Sequence, residues 1–257
     1  MTISLINKTV VVTGGAKRVG RAIAVECARS GANVVVTYNA SQDEAQQLVD
    51  ELKIEYSMSP NQQFAAFGCE LSDDAQVQRL VEEVVAQFGR VDALVNNAAI
   101  FRRTPFETMN ERDFDDHINS NLKAPFLTCK HFGDVMLAQQ SGAIVNIADI
   151  HGLKPLKNYI PYCASKAGLI SLTESFAKAL APNVRVNCIC PGTILPPSET
   201  QGNGEEYSDD VNQLVARIPL ARLGSPHDIA QTVVFLVGGP QFISGVVLPV
   251  DGAEHLK

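Results

Sequence analysis

Three side chains in the second half of the chain have the types and spacing for proton chemistry. Tyr162 and Lys166 are four residues apart, so on a helix they share a face. An ammonium beside a phenol favours phenolate and lowers a pKa that is ordinarily about 10. Tyr162 is therefore the candidate acid, with Lys166 tuning it. Asp149 stands 13 positions before Tyr162. An ionised carboxylate accepts hydrogen bonds, donates none, and repels an oxygen that is gaining negative charge. It also opposes the effect of Lys166 on the phenol. Two arrangements make sense of it. Asp149 is protonated and donates, or it faces a substrate that carries N–H groups and whose reacting bond is C=N.

The elements that must position these residues alternate along the chain. Apolar runs predict strands at 9–13, 33–37, 63–69, 91–95, 143–147, 184–189 and 246–250. Helical stretches are predicted at 18–29, 41–55, 73–88, 111–138, 162–181 and 226–238. Ser41 followed by Glu44 reads as a capping box, Ser72 or Asp73 as the next cap, Ser225 with Pro226 as another helix start, and Pro125 as a kink. This alternation predicts a single α/β domain over 1–257. Its expected architecture is a Rossmann-type doubly wound fold with a mainly parallel seven-stranded sheet. Runs such as Val10-Val11-Val12 suit strands covered on both faces. Residues 191–210, rich in Pro, Gly, Ser and Glu, are too long for an ordinary connection and read as a substrate-loop or lid insertion.

Composition narrows the partners. A net charge of −7 argues against nucleic acid and against an anionic membrane surface. The first residues lack a basic region followed by a long apolar run, and no apolar stretch reaches the roughly 18 residues of a membrane span. A cytoplasmic location is expected. The six cysteines form no Cys-x-x-Cys pair and the five histidines show no ligand spacing. Reduced, buried thiols and no metal are expected.

A cofactor site is expected at Thr13-Gly14-Gly15-Ala16-Lys17-Arg18-Val19-Gly20, between the first strand and the first helix. Glycines there let the backbone approach a pyrophosphate, whose charge suits a helix N-terminus. After the second strand, Thr37-Tyr38-Asn39-Ala40-Ser41 holds no acid to accept from ribose hydroxyls. Lys17 and Arg18 supply positive charge and Asn39 and Ser41 supply donors, so a 2′-phosphate is favoured and NADPH is the expected cofactor.

From Lys8 to Gly252 the chain resembles the short-chain dehydrogenase/reductase family. Tyr162-x-x-x-Lys166 is similar to that family's catalytic centre. The glycine turn is similar to its Thr-Gly-x-x-x-Gly-x-Gly pattern, with Arg18 where the middle glycine usually stands. Asn96-Asn97-Ala98-Ala99 resembles its Asn-Asn-Ala-Gly element, which lies beside the adenosine and the nicotinamide ribose. The resemblance implies further roles. Lys166 would bind ribose hydroxyls, Asn121 would hold a proton-relay water, and Pro191-Gly192-Thr193 would contact the nicotinamide carboxamide. Glu70, with Leu71 beside it, would lie near the adenine. A homotetramer is also implied. The chain departs from the family at Asp149, where a serine is usual.

Within the family, Arg18, Phe101 and Asp149 together resemble the pteridine reductases. That implies an arginine touching both pyrophosphate and pterin, a phenylalanine holding the pterin against the nicotinamide, and an aspartate facing its N–H groups. Leu195-Pro196-Pro197 would line the pocket. The expected activity is NADPH-dependent reduction of a pterin or dihydrofolate C=N bond. The alternatives are a carbonyl reductase for a ketoacyl, sugar or steroid-like substrate and a non-catalytic nucleotide-binding sensor. The presence of both Tyr162 and Lys166 weighs against the sensor.

Overall fold

The computed structural model describes residues 3–56, 61–194 and 211–257. Strands β1 (Thr9–Val12), β2 (Asn33–Tyr38), β3 (Phe64–Gly68), β4 (Ala93–Asn96), β5 (Gly142–Ile147), β6 (Val184–Pro191) and β7 (Val247–Val250) form one seven-stranded sheet. The order is β3-β2-β1-β4-β5-β6-β7 and every pairing is parallel. The strand order reverses between β1 and β4. In open parallel sheets the crevice at such a switch point, outside the carboxyl ends of the strands, is where ligands bind.

The helices are α1 (Arg18–Arg29), α2 (Gln42–Glu55), α3 (Asp74–Phe88), α4 (Glu111–Ile118), α5 (Ala124–Ala138), α6 (Ile160–Ala179), α7 (Val211–Arg217) and α8 (Pro226–Gly238). They cover both faces of the sheet. Val10 and Val12 of β1 pack with α1, α2 and α8 through residues such as Ile23, Leu48 and Val233. Val11, between them, packs on the other face with α3 and α5 through Leu80 and Phe132. Period-two alternation therefore divides one valine run between two cores. Each fully buried valine or isoleucine contributes about 1.5–3 kcal/mol.

Four local features differ from the sequence reading, each for a physical reason. The helix expected over 111–138 is two helices joined by a π-helical turn at Asn119–Lys123. The break precedes Pro125 in the first turn of α5, where the chain runs on helically from the π turn and the proline leaves one rung of the ladder without a donor. It falls where Asn121 turns inward to the backbone of Ile100, accepting from its N–H (2.8 Å) and donating to its carbonyl (2.9 Å). Ser41 occupies the N-cap of α2 but makes no capping bond, and the Glu44 side chain reaches Lys17 rather than closing the box. Helix α6 begins at Ile160, which puts Tyr162 in its first turn. Helix α7 is too short to show a period and was not expected.

Asp73 caps α3, accepting from Gln76 N at 3.1 Å, and Ser225 caps α8 with a reciprocal bond to Asp228. Residues 195–210, which carry most of the expected lid and Leu195-Pro196-Pro197, lie outside the described residues. No described helix is long and apolar enough to cross a membrane. The six thiols are buried and unpaired. Among the described residues, no group of three or more His, Cys, Asp or Glu side chains is arranged to hold a metal.

Candidate active site

The turn between β1 and α1 is pressed against the segment that follows β4. Gly14 has φ +60°, and a Cβ there would lie 3.0 Å from Ala98 Cα. A Cβ at Gly20 would meet the Gly14 carbonyl at 2.3 Å and Asn97 Nδ2 at 2.6 Å. Thr13 Oγ1 accepts from the N–H groups of Asn97 (2.9 Å) and Ala98 (3.0 Å), and Asn97 Nδ2 donates to the carbonyls of Thr13 and Gly14. Only glycine fits at 14 and 20 without moving backbone. Arg18 is held at φ +51°. A side chain in that region costs about 1–3 kcal/mol, and such strain gathers where a ligand must be met. Arg18 therefore holds a backbone conformation that glycine would adopt freely, while adding a cation.

This turn opens into a cavity of about 1000 Å³ along the carboxyl ends of the strands, large enough for two ligands side by side. Gly14, Lys17, Arg18, Val19 and Gly20 line one end, with Tyr38, Asn39, Ser41, Glu70 and Leu71. Asn97, Ala98, Ala99 and Phe101 form the middle. Asp149, Tyr162, Lys166, Pro191, Gly192 and Thr193 line the other end. Asn121 lies behind the wall. It is fully buried, and besides Ile100 its amide donates to Ser165 Oγ at 3.1 Å. Its carboxamide thus fixes the start of the loop that carries Phe101.

The charges at the nucleotide end are mostly paired. Lys17 Nζ lies 2.5 Å from Glu44 Oε1, an acid that α2 brings in from outside the Thr37–Ser41 stretch. Asn39 Nδ2 donates to Glu70 Oε2 at 2.8 Å, while Glu70 Oε1 accepts from Ser72 Oγ at 2.8 Å. Arg18 makes no ion pair among the described residues. The missing Cβ atoms at 14 and 20, the α1 N-terminus and this guanidinium together fit a pyrophosphate.

At the other end, Asp149 follows β5 and caps a short 3-10 turn at Ile150–Gly152. Its Oδ1 accepts from His151 N at 2.7 Å, and its Oδ2 accepts from Tyr162 Oη at 2.6 Å. The phenolic proton is thus directed at the carboxylate. Lys166 Nζ lies 5.7 Å from the Tyr162 ring centroid and donates to the Ile147 carbonyl at 2.9 Å. Burial pushes the Lys166 ammonium below its ordinary pKa, and the nearby Asp149 charge opposes this. Below the site, buried amides and hydroxyls tie the sheet to α5 and α6. Asn96 donates to Asn146 Oδ1 (2.8 Å) and accepts from Thr128 Oγ1 (2.6 Å), and Asn146 donates to Thr173 Oγ1 (2.9 Å).

Phe101 belongs to an aromatic wall. Its ring stacks on Tyr159 with centroids 4.6 Å apart and meets the edge of Tyr162 at 4.7 Å. Tyr159, at the N-cap of α6 just outside the helix, was missed because its partner Phe101 belongs to a distant segment of the chain. His151 and Arg103 also line the cavity without having been expected. Glu254 was missed with no sequence signal at all. From the chain terminus it accepts from Thr193 N (3.0 Å) and Thr193 Oγ1 (3.1 Å), and so orients the segment expected to meet the nicotinamide.

His117, on α4, is buried with its Nδ1 2.6 Å from the Asp113 carbonyl and its ring 6.3 Å from that of Tyr162. Its Nε2 has no partner among the described residues. Burial pushes its pKa down, Arg102 adds to this, and Asp113 and Asp116 oppose it. The folded value lies below the unfolded value of about 6.5, so the unfolded chain binds more protons between the two. Stability is accordingly lost as pH falls below that unfolded value. Urea midpoints measured at pH 7 and pH 5 should drop less in His117→Leu than in the parent protein; an equal drop in both would refute a role for His117.

The sequence matches the family described as short chain dehydrogenase over residues 8–206. A 3-oxoacyl-(acyl-carrier-protein) reductase of Staphylococcus epidermidis is 37% identical over 253 residues, covering 97% of this chain and 100% of its own. Reductases of the same name from Staphylococcus aureus (36% identical, 97% and 99% covered) and Thermotoga maritima (34%, 96% and 97%) are also similar.

Proposed function

We propose that this chain, which belongs to the short chain dehydrogenase family, is an NADPH-dependent reductase of a C=N bond in a dihydropterin or dihydrofolate. The observation that carries this reading is the 2.6 Å bond from Tyr162 Oη to Asp149 Oδ2. An ionised carboxylate offers about four lone-pair sites. One is taken by Tyr162 and one by His151 N, which leaves sites for amino and ring N–H groups of a substrate. A ketone offers no such donors. The Phe101–Tyr159–Tyr162 wall suits a flat ring, and each offset or edge contact adds about 0.5–1.5 kcal/mol beyond area burial.

NADPH, when bound, supplies a hydride. In this reading the Gly14–Gly20 turn and the α1 N-terminus hold its pyrophosphate, with Arg18 over it. Lys166 holds a ribose and Thr193, oriented by Glu254, holds the carboxamide. Tyr38, Glu70, Leu71, Asn97, Ala98 and Ala99 enclose the nucleoside. Arg18, Asn39, Ser41 and Lys17 attract the 2′-phosphate. Exposed ion pairs contribute only about 0–1 kcal/mol, so Lys17 can exchange Glu44 for a phosphate at little cost. A higher kcat/KM with NADPH than with NADH is the expected result. Equal or better use of NADH would overturn this assignment. A cytoplasmic homotetramer belongs to the same proposal. Exposed Phe126 and Phe242 are apolar side chains that such an assembly would cover.

The names of the similar proteins favour a second reading, reduction of the ketone of a 3-oxoacyl thioester, over the pterin reading. There Tyr162 donates to the carbonyl oxygen and Asp149 acts as a protonated donor. NADPH oxidation assayed with a dihydropterin, dihydrofolate and a 3-oxoacyl thioester separates the two. Faster turnover of the nitrogen heterocycles supports the first reading, and reduction of the thioester alone establishes the second.

A further inference from the structure

Among the lysine and arginine side chains that line the cavity, most have a use already. Lys17 is paired with Glu44, Arg18 belongs to the glycine turn itself, and Lys166 is buried on the Ile147 carbonyl. Arg102 NH2 lies 2.6 Å from Asp116 Oδ2. Arg103 is different. It lines the cavity, is exposed, and makes no ion pair or hydrogen bond among the described residues.

Its placement is nonetheless firm. Two residues before it, Phe101 is held by its stack on Tyr159. One residue after it, Thr104 N donates to the Asn158 carbonyl at 2.7 Å, and Thr104 forms a parallel bridge with Tyr159. The backbone carrying Arg103 is thus fastened on both sides to the start of α6, which also carries Tyr162. Asn121 fixes the same loop at Ile100. A cation mounted on a fastened loop at a cavity mouth gives up only side-chain freedom on meeting an anion, and no loop has to be ordered. The two carboxylates lining the cavity, Glu70 and Asp149, are hydrogen-bonded elsewhere.

We propose that Arg103 is a specificity-determining residue that binds an anionic group carried on a flexible tail of the substrate. The tail extends from the ring or carbonyl that reacts beside Tyr162, past Phe101, to the rim. The inference rests on the reductase reading of this site. A glutamyl carboxylate on a folate-like substrate and a phosphate on a pantetheine-type thioester share the needed chemistry, and the test separates them.

The test uses the full chain with NADPH and two substrate pairs. One pair is dihydrofolate and a dihydropterin with an uncharged side chain. The other is a 3-oxoacyl coenzyme A and the same acyl group on N-acetylcysteamine. Arg103→Gln should lower kcat/KM for the charged member of the productive pair about two- to fivefold more than for its neutral counterpart. Arg103→Lys should restore most of the difference, and roughly 0.5 M salt should shrink it. Equal losses for charged and neutral members, or no loss for either, would overturn the role of Arg103. Failure of the pterin reading looks different: both pterins are then inert while both thioesters react, and the Arg103 comparison is read on the thioester pair. Turnover of neither pair overturns both proposals.

Discussion

Tyr162→Phe lowers kcat by about 10²–10⁴-fold, the range expected for loss of a positioned general acid. The substitution removes one oxygen and keeps the ring that meets Phe101 at 4.7 Å and lies 6.3 Å from His117. Stability and the KM for NADPH should therefore change little, and the loss should appear in kcat. Steady-state NADPH oxidation measures it. The hydrogen bond to Asp149 makes the result informative about the proton's route. Retention of more than a tenth of the parent kcat would mean that the proton comes from Asp149 by way of water. Measurable turnover that vanishes in Tyr162→Phe separates the enzyme from a non-catalytic nucleotide-binding sensor.

Asp149→Ser should lower kcat/KM for a dihydropterin or dihydrofolate by about ten- to a hundredfold. Each hydrogen bond to a charged group contributes roughly 1.5–3 kcal/mol, and about 1.4 kcal/mol is tenfold. Serine still accepts from His151 N, so the turn after β5 should keep its shape and thermal stability should be nearly unchanged. The same substitution should leave reduction of a 3-oxoacyl ketone unchanged or improve it, because serine donates where an ionised carboxylate repels the developing oxyanion. Loss of ketone reduction with retention of pterin reduction would contradict this account of Asp149.

Much of the arrangement follows from local pattern. The seven strands were readable because their apolar runs are short and bounded by turns, and those of β1, β4 and β6 are buried throughout. The glycine turn was readable because positive φ at Gly14 and close approach at Gly20 demand residues without a Cβ. Tyr162 and Lys166 were readable because helical spacing converts directly into a shared face. Pairings between distant segments were not readable. Glu44 was expected to cap its own helix and instead meets Lys17. Pro125 drew the expected kink away from Asn121, where a bond to Ile100, 21 residues earlier, falls in the π-helical turn. Tyr159 behind Phe101 and Glu254 behind Thr193 show the same limit.

The sequence by itself therefore determined the alternation of strands and helices, the glycine turn and the shared helix face of Tyr162 and Lys166. Each depends on backbone conformation or on spacing within one element. Tertiary structure alone decided where the phenolic proton points, which cations stay unpaired, and which side chains orient the reacting groups. Those outcomes depend on distances between elements far apart in the chain, which no local pattern records. Asp149 stands across that boundary. Its identity announces a carboxylate in place of a hydroxyl, and only the fold brings that carboxylate to 2.6 Å from the Tyr162 hydroxyl.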